Sequence, residues 1–269
     1  MLTFNLYVLP TLIAAGLALG RLDLLCSGRK VWALPVPGRL LSVAGLRIVA
    51  LALIVLPAVH LATMAWASHL YTRARHAAVE EHRLLEAEQL LRRALELAPN
   101  VDTHLVGAAE IYRSVLERLP GDAERERRVV FDHAMDFLDR AEALNPLRVQ
   151  TYRVRGQIMA ADPPLPEDEA AQRAQAAFEQ ALRVDPHHYK TRLDYAQFLL
   201  RRGQTGRARA VLEAGLDYWY YPEPPLIAYL AVTAHHLERA GHEARAARVR
   251  GRVRRVNQRI ARRREAARG

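Results

Sequence analysis

Apolar residues crowd the first 70 positions of the chain, and a helical rhythm of apolar and polar positions takes over afterwards. Two runs, Leu2–Gly20 and Ile48–Ala67, pass without a single charge. Each has the length a helix needs to cross about 30 Å of hydrocarbon at roughly 1.5 Å per residue. The pattern therefore predicts two N-terminal transmembrane helices, at about 2–20 and 48–67. Pro10 and Pro57 fall near the middle of the runs, where membrane helices tolerate a kink. Trp66 and Tyr71 lie at the end of the second, as amphipathic rings do at a bilayer interface. Met1–Tyr7 carries no Lys or Arg and no clean small-x-small site follows the first run, so a retained helix is expected rather than a cleaved signal.

Past residue 70 one template recurs: a small residue, a bulky apolar one four positions on, a second small one at seven, then a proline. Ala87, Leu91, Ala94 and Pro99 fit it, as do Ala134, Leu138, Ala141 and Pro146, and Ala174, Phe178, Ala181 and Pro186. A fourth copy, Ala208, Leu212 and Gly215, delays its proline to Pro222. Offsets of four and seven share a helix face, small side chains admit a neighbouring helix, and proline stops the helix. Before the third copy stand Tyr152, Gly156 and Met159; before the fourth, Tyr195, Ala196 and Leu199, with Gly203 at the turn. A further pair shows Leu230, Ala234 and Leu237, then Gly241 and Ala246.

These half-motifs resemble the second and first helices of the tetratricopeptide repeat. The copies start at Ala87, Ala134, Ala174 and Ala208, at intervals that shorten along the chain. The last interval equals that family's standard period. Insertions at Pro120–Arg128 and Asp162–Glu169 account for the longer ones. The expected fold class is all-α: two transmembrane helices followed by a tetratricopeptide-like α-solenoid. The expected domains are a membrane anchor (1–69), a repeat array (70–247) and an Arg-rich helix (248–269). The runs Ala141–Ile158, Phe178–Gln204 and Val211–Tyr220 also resemble the C-terminal region of bacterial O-antigen ligase and polymerase-type membrane proteins. There, final membrane helices lead into a periplasmic repeat domain. Such enzymes carry many more membrane helices and a catalytic periplasmic loop; this chain has neither, so the resemblance implies an accessory subunit or C-terminal fragment of a ligase- or polymerase-like system for lipopolysaccharide or surface-glycan assembly.

Charge refines the topology. Arg21, Arg29, Lys30, Arg39 and Arg47 stand between the runs against Asp23. Arg73, Arg75 and Arg83 follow among Glu80, Glu81 and Glu86. Positive loops stay inside, so the 21–47 loop is expected in the cytoplasm and the array in the periplasm of a bacterial inner membrane. The formal charge is +10, yet Arg248–Gly269 holds ten Arg and one Glu, a net of +9, leaving +1 for everything before it. Val249, Val253, Val256 and Ile260 form a narrow apolar stripe on that tail. Two readings stay open: a polar cap over the last repeat, or an anionic-surface contact through Arg252, Arg255, Arg259, Arg262 and Arg263 with lipid or phosphorylated glycolipid. A nucleic-acid partner is not expected for a periplasmic array.

Little else suggests chemistry. The lone Cys26 excludes an intrachain disulfide framework. No phosphate-binding loop, nucleophile elbow or zinc-helix motif occurs. The adjacent pairs His187–His188 and His235–His236 lack the three- or four-residue spacing of helical metal ligands. His60 is expected to pack as a neutral ring within the second run. Glu167, Asp168 and Glu169 are expected as a solvated cluster in a Pro-rich loop. The block Tyr218, Trp219, Tyr220, Tyr221 suits either packing or recognition. No catalytic residue, metal or cofactor is expected. The expected function is a membrane-anchored scaffold binding a protein partner, with Tyr152, Tyr195 and Asp194 contributing to a groove, because repeat arrays line their concave face with first helices.

Overall fold

The small–bulky–small positions of the recurring template are buried, while Pro99, Pro146 and Pro186 just past the helices are exposed. Ala87, Leu91 and Ala94, then Ala134, Leu138 and Ala141, then Ala174, Phe178 and Ala181, then Ala208 and Leu212 have almost no exposed surface. Gly215 is buried with them. The computed structural model describes residues 43–81, 83–161 and 163–266. The expected span at 2–20, Cys26 and most of the loop around it lie outside these residues.

Among the described residues there are ten helices. They are α1 (Val43–Val79), α2 (Leu84–Leu97), α3 (Asp102–Leu116), α4 (Glu124–Leu144), α5 (Val149–Met159), α6 (Glu167–Val184), α7 (Tyr189–Arg201), α8 (Thr205–Glu213), α9 (Pro224–Arg239) and α10 (Glu243–Ala266). The template copies sit on α2, α4, α6 and α8. Helices α3–α4, α5–α6, α7–α8 and α9–α10 pack as antiparallel hairpins, and successive hairpins stack on one another. This is an all-α, tetratricopeptide-like solenoid. Gly203 and Gly241 adopt φ of 72° and 78° just past α7 and α9, a left-handed turn that side chains with a Cβ resist.

Met1–Leu61 and Ala62–Gly269 are separate compact units. In the first, α1 runs through Pro57, and Val55, Leu56 and Val59 are largely exposed. No helix among the described residues is long and apolar enough to cross a membrane; the front of the expected 48–67 span falls largely on residues whose side chains are not described. The run does not end as a helix at Ala67, since α1 continues to Val79.

In the second unit, that continuation supplies a first helix that the apolar run concealed. Leu70, Ala74, Ala77 and Ala78 join Ala87, Leu90, Leu91 and Ala94 of α2 and Ala108 and Ile111 of α3 in one core cluster. The unit thus begins at Ala62, ahead of the expected boundary at residue 70. A second cluster runs from Leu105 on α3 to Val256 on α10. The Arg-rich tail is no separate helix: Val249 and Val256 are buried, Val253 and Ile260 pack beside them, and α10 begins at Glu243. Its apolar stripe closes the core as a terminal cap.

Glu167, Asp168 and Glu169 correct another expectation. They form the first turn of α6, not a loop, where carboxylates favour the positive helix end. Glu167 and Asp168 also meet Arg202 at 3.3 and 3.9 Å. Two histidines take structural posts. His188 caps α7, its Nδ1 accepting from the backbone N–H of Thr191. His104 stacks on Tyr71, with ring centroids 5.1 Å apart, and its Nε2 lies 3.3 Å from the Ser68 hydroxyl.

Burial lowers the proton affinity of both imidazoles below the ordinary 6.5; Asp102 opposes this at His104, and Arg153 adds to it at His188. A folded state that binds protons more weakly than the unfolded chain is stabilised above the unfolded value and loses that contribution as pH falls through it. Unfolding followed by circular dichroism should therefore show stability declining from about pH 7 towards pH 5. A His104→Phe, His188→Asn double variant should flatten that slope; an unchanged slope would assign it to other groups.

Candidate functional site

First helices of three successive hairpins line one groove of about 460 Å³. Its walls are Arg113 and Glu117 at the end of α3, Gln157, Ala160 and Ala161 from α5 and the residues after it, and Asp194, Gln197 and Arg201 on α7, with Phe178 at the floor. On α7 the lining residues Asp194, Gln197 and Arg201 are spaced at three and four, so they share one helix face.

The three residues expected to form the groove take different places. Asp194 lines it, accepting from Arg153 Nε at 2.5 Å and Gln157 Nε2 at 2.8 Å. That carboxylate clasps α5 to α7 and is partly buried. Tyr152 and Tyr195 are buried and offer the groove no ring surface. Tyr152 donates to Glu142 and to the carbonyl of Pro146 at 3.1 and 2.9 Å. Tyr195 stacks on Phe178 with centroids 5.5 Å apart and donates to Glu179 at 2.9 Å. Burial and then the Glu179 carboxylate push its hydroxyl up to about 12, so it stays a donor. The large–small–large spacing marked helix packing at these positions.

Residues outside that expectation carry the groove's free charge. Arg113 is held by Glu117, and Arg153 by Asp194. Arg201 is exposed, lines the groove and pairs with no carboxylate among the described residues. The groove thus offers one uncommitted guanidinium beside amides (Gln157, Gln197) and the half-buried methyl groups of Ala160 and Ala161. Such a site can accept an extended peptide that brings a carboxylate and a small apolar side chain.

Elsewhere, Arg252 donates to the carbonyls of Leu216 and Tyr218, both at 2.6 Å, and Arg263 lies 4.3 Å above the Tyr221 ring. Arg255 and Arg259 line a second groove with Trp219 and Tyr220, and Arg262 is exposed. His187 packs on Tyr218, centroids 4.0 Å apart, and His235 meets His236 edge to face. Among the described residues no three His, Cys, Asp or Glu side chains come together as a metal site.

A tetratricopeptide repeat model matches residues 167–218, which span α6, α7 and α8. No curated protein matches the chain. Among solved structures, PilW, a widely conserved type IV pilus biogenesis factor, is similar at 18% identity and a TM-score of 0.47, covering 71% of this chain and 78% of that one. MamA is similar at 14% identity and 0.45, covering 68% and 93%. TTC0263, a thermophilic tetratricopeptide protein of Thermus thermophilus, gives 16% and 0.45, covering 74% and 99%.

Proposed function

We propose that the chain is a scaffold that holds a protein partner in the groove formed by α3, α5 and α7, anchored in a bacterial inner membrane with its array in the periplasm. The observation that carries the binding reading is the groove itself, with Arg201 placed to meet a carboxylate. Arrays of this kind bind through such faces, and nothing beyond binding is required of them. The anchor rests on the uncharged 48–67 run and on the exposed apolar side chains of Val55, Leu56 and Val59, which water disfavours and lipid does not. The Arg-rich face of α10 would turn towards anionic headgroups.

A photo-crosslinking residue at Gln197, in intact membranes, should capture one discrete partner, and the same residue at Arg93 on α2 should not. Arg201→Glu should reduce that capture roughly tenfold, since an ion pair becomes a repulsion worth about 1–3 kcal/mol in all. Equal capture at both positions would remove the groove reading. For topology, a C-terminal reporter active only in the periplasm should be active; a stable but inactive fusion would reverse the orientation.

An alternative, an accessory subunit of O-antigen or related surface-glycan assembly, is supported by the sequence likeness of Ala141–Ile158, Phe178–Gln204 and Val211–Tyr220. Deleting the chain should then alter the lipopolysaccharide ladder, and an unchanged ladder would discard it.

A further inference from the structure

Two segments separated in sequence by the whole of α9 meet at the last hairpin and build a surface that neither makes alone. The extended stretch after α8 alternates its rings. Tyr218 and Tyr220 turn inward: Tyr220 is buried, donating to the carbonyl of Gly215 at 2.9 Å, and Tyr218 packs against His187. Trp219 and Tyr221 turn outward, 74% and 60% exposed. Across from them α10 presents Arg252, Arg255 and Arg259, and together the segments enclose a groove of about 370 Å³. Offsets of three, seven and eleven from Arg252 bring Arg255, Arg259 and Arg263 onto one helix face. Arg252 is pinned by two carbonyls and Arg263 rests on Tyr221. Neither Arg255 nor Arg259 pairs with a carboxylate among the described residues, and Asp217 is the single acid lining the groove.

We propose that this face, Trp219 and Tyr221 with Arg255, Arg259 and Arg262, is a docking surface for an anionic phospholipid membrane. Solubility alone leaves Trp219 unexplained, because a large ring exposed in water gains nothing there, whereas indole and phenol rings favour the headgroup region. Unpaired guanidinium groups beside them supply the attraction to lipid phosphates. The extent of the surface argues the same way. Helix α10 has 24 residues, about 36 Å at roughly 1.5 Å per residue, and Arg248, Arg255, Arg259, Arg262 and Arg264 along it are exposed. A plane of headgroups can engage that whole length, and a compact anionic ligand could touch only the groove. The inference deepens the anchored-scaffold reading by naming where the array's far end touches lipid.

The test uses the full chain with Trp32→Phe and Trp66→Phe, so that Trp219 alone reports, reconstituted in nanodiscs of brominated phosphatidylcholine with or without phosphatidylglycerol. Trp219 emission should shift to the blue and be quenched several-fold more in discs containing phosphatidylglycerol. The effect should fade near 0.5 M NaCl, where screening acts within about 5 Å, and should vanish in an Arg255→Gln, Arg259→Gln variant whose circular dichroism is unchanged. Trp219 emission that is the same in both lipids, or quenching that survives the double substitution, would overturn the proposal. So would a response to soluble polyglutamate or RNA without one to phosphatidylglycerol, which would make the partner an acidic polymer. Failure to enter phosphatidylcholine discs would count against the anchor alone, because quenching by added brominated phosphatidylglycerol vesicles would still read the docking surface.

Discussion

Replacing Phe178 with alanine is expected to destabilise the array by about 3–5 kcal/mol, the usual range for emptying a buried aromatic site. The ring is 1% exposed and is held between Tyr195 at 5.5 Å and Phe198 at 6.0 Å. Against it lies Gly156 on α5, where an added Cβ would stand 2.8 Å from two atoms of the Phe178 ring. The sizes at 156 and 178 are therefore coupled across one hairpin, and a double-substitution cycle can expose it. Gly156→Ala alone should lose about 1–3 kcal/mol, because overpacking outweighs the helix propensity gained. In the Phe178→Ala background the same change should be neutral or stabilising, since the methyl enters vacated space and alanine favours the helix by about 1 kcal/mol. Urea titration in detergent micelles, followed by circular dichroism, gives all four corners. Additive losses would mean that the two positions do not share the contact.

The packing was legible because a small–bulky–small series at four and seven has few meanings on a helix, and Ala134, Leu138 and Ala141 could be placed inward from their spacing alone. The groove was harder to read for the same reason. Tyr152 and Tyr195 were conspicuous through their repeat positions, but those positions exist to fill gaps between helices. The residues left for a partner are the polar ones between, Gln157, Gln197 and Arg201, which resemble any solvated helix face until the hairpins stack. The start of the array was hidden by continuity: Leu70, Ala74 and Ala77 prolong the apolar run of 48–67 without a break in period, so nothing in composition marks Ala62. The Val stripe of the tail was readable as a cap. Its proximity to Trp219 and Tyr221 was not, because contacts between a loop and a helix beyond the next one leave no local periodicity.

Arg192→Ala is expected to weaken the α5–α6 and α7–α8 hairpins by about 3 kcal/mol, since it leaves buried acceptors unpaired. Arg192 is 7% exposed, yet its guanidinium contacts are to neutral carbonyls. Nε and Nη2 donate to the Pro186 carbonyl at 3.2 and 2.7 Å, and Nη1 donates to the Val211 carbonyl at 3.1 Å. One side chain thus ties the turn after α6 to the last turn of α8, with the Tyr218 ring 5.8 Å from its carbon centre. Removing it strands two acceptors, and hydrogen bonds from a charged donor are worth about 1.5–3 kcal/mol each. It also opens space beside Gly215, where a Cβ would lie 2.7 Å from the Arg192 stem. Lysine keeps the charge but not the fork that reaches both carbonyls, so Arg192→Lys should recover only part of the loss. Methionine fills the stem volume without any donor, and Arg192→Met should fall nearer to alanine. Native-state hydrogen exchange resolves this better than a single melting temperature, since repeat arrays open locally. Amides of α7 and α8 should lose protection in the order Lys, Met, Ala, and those of α3 should change least. A lysine variant as protected as the native chain would show that the charge matters and the fork does not.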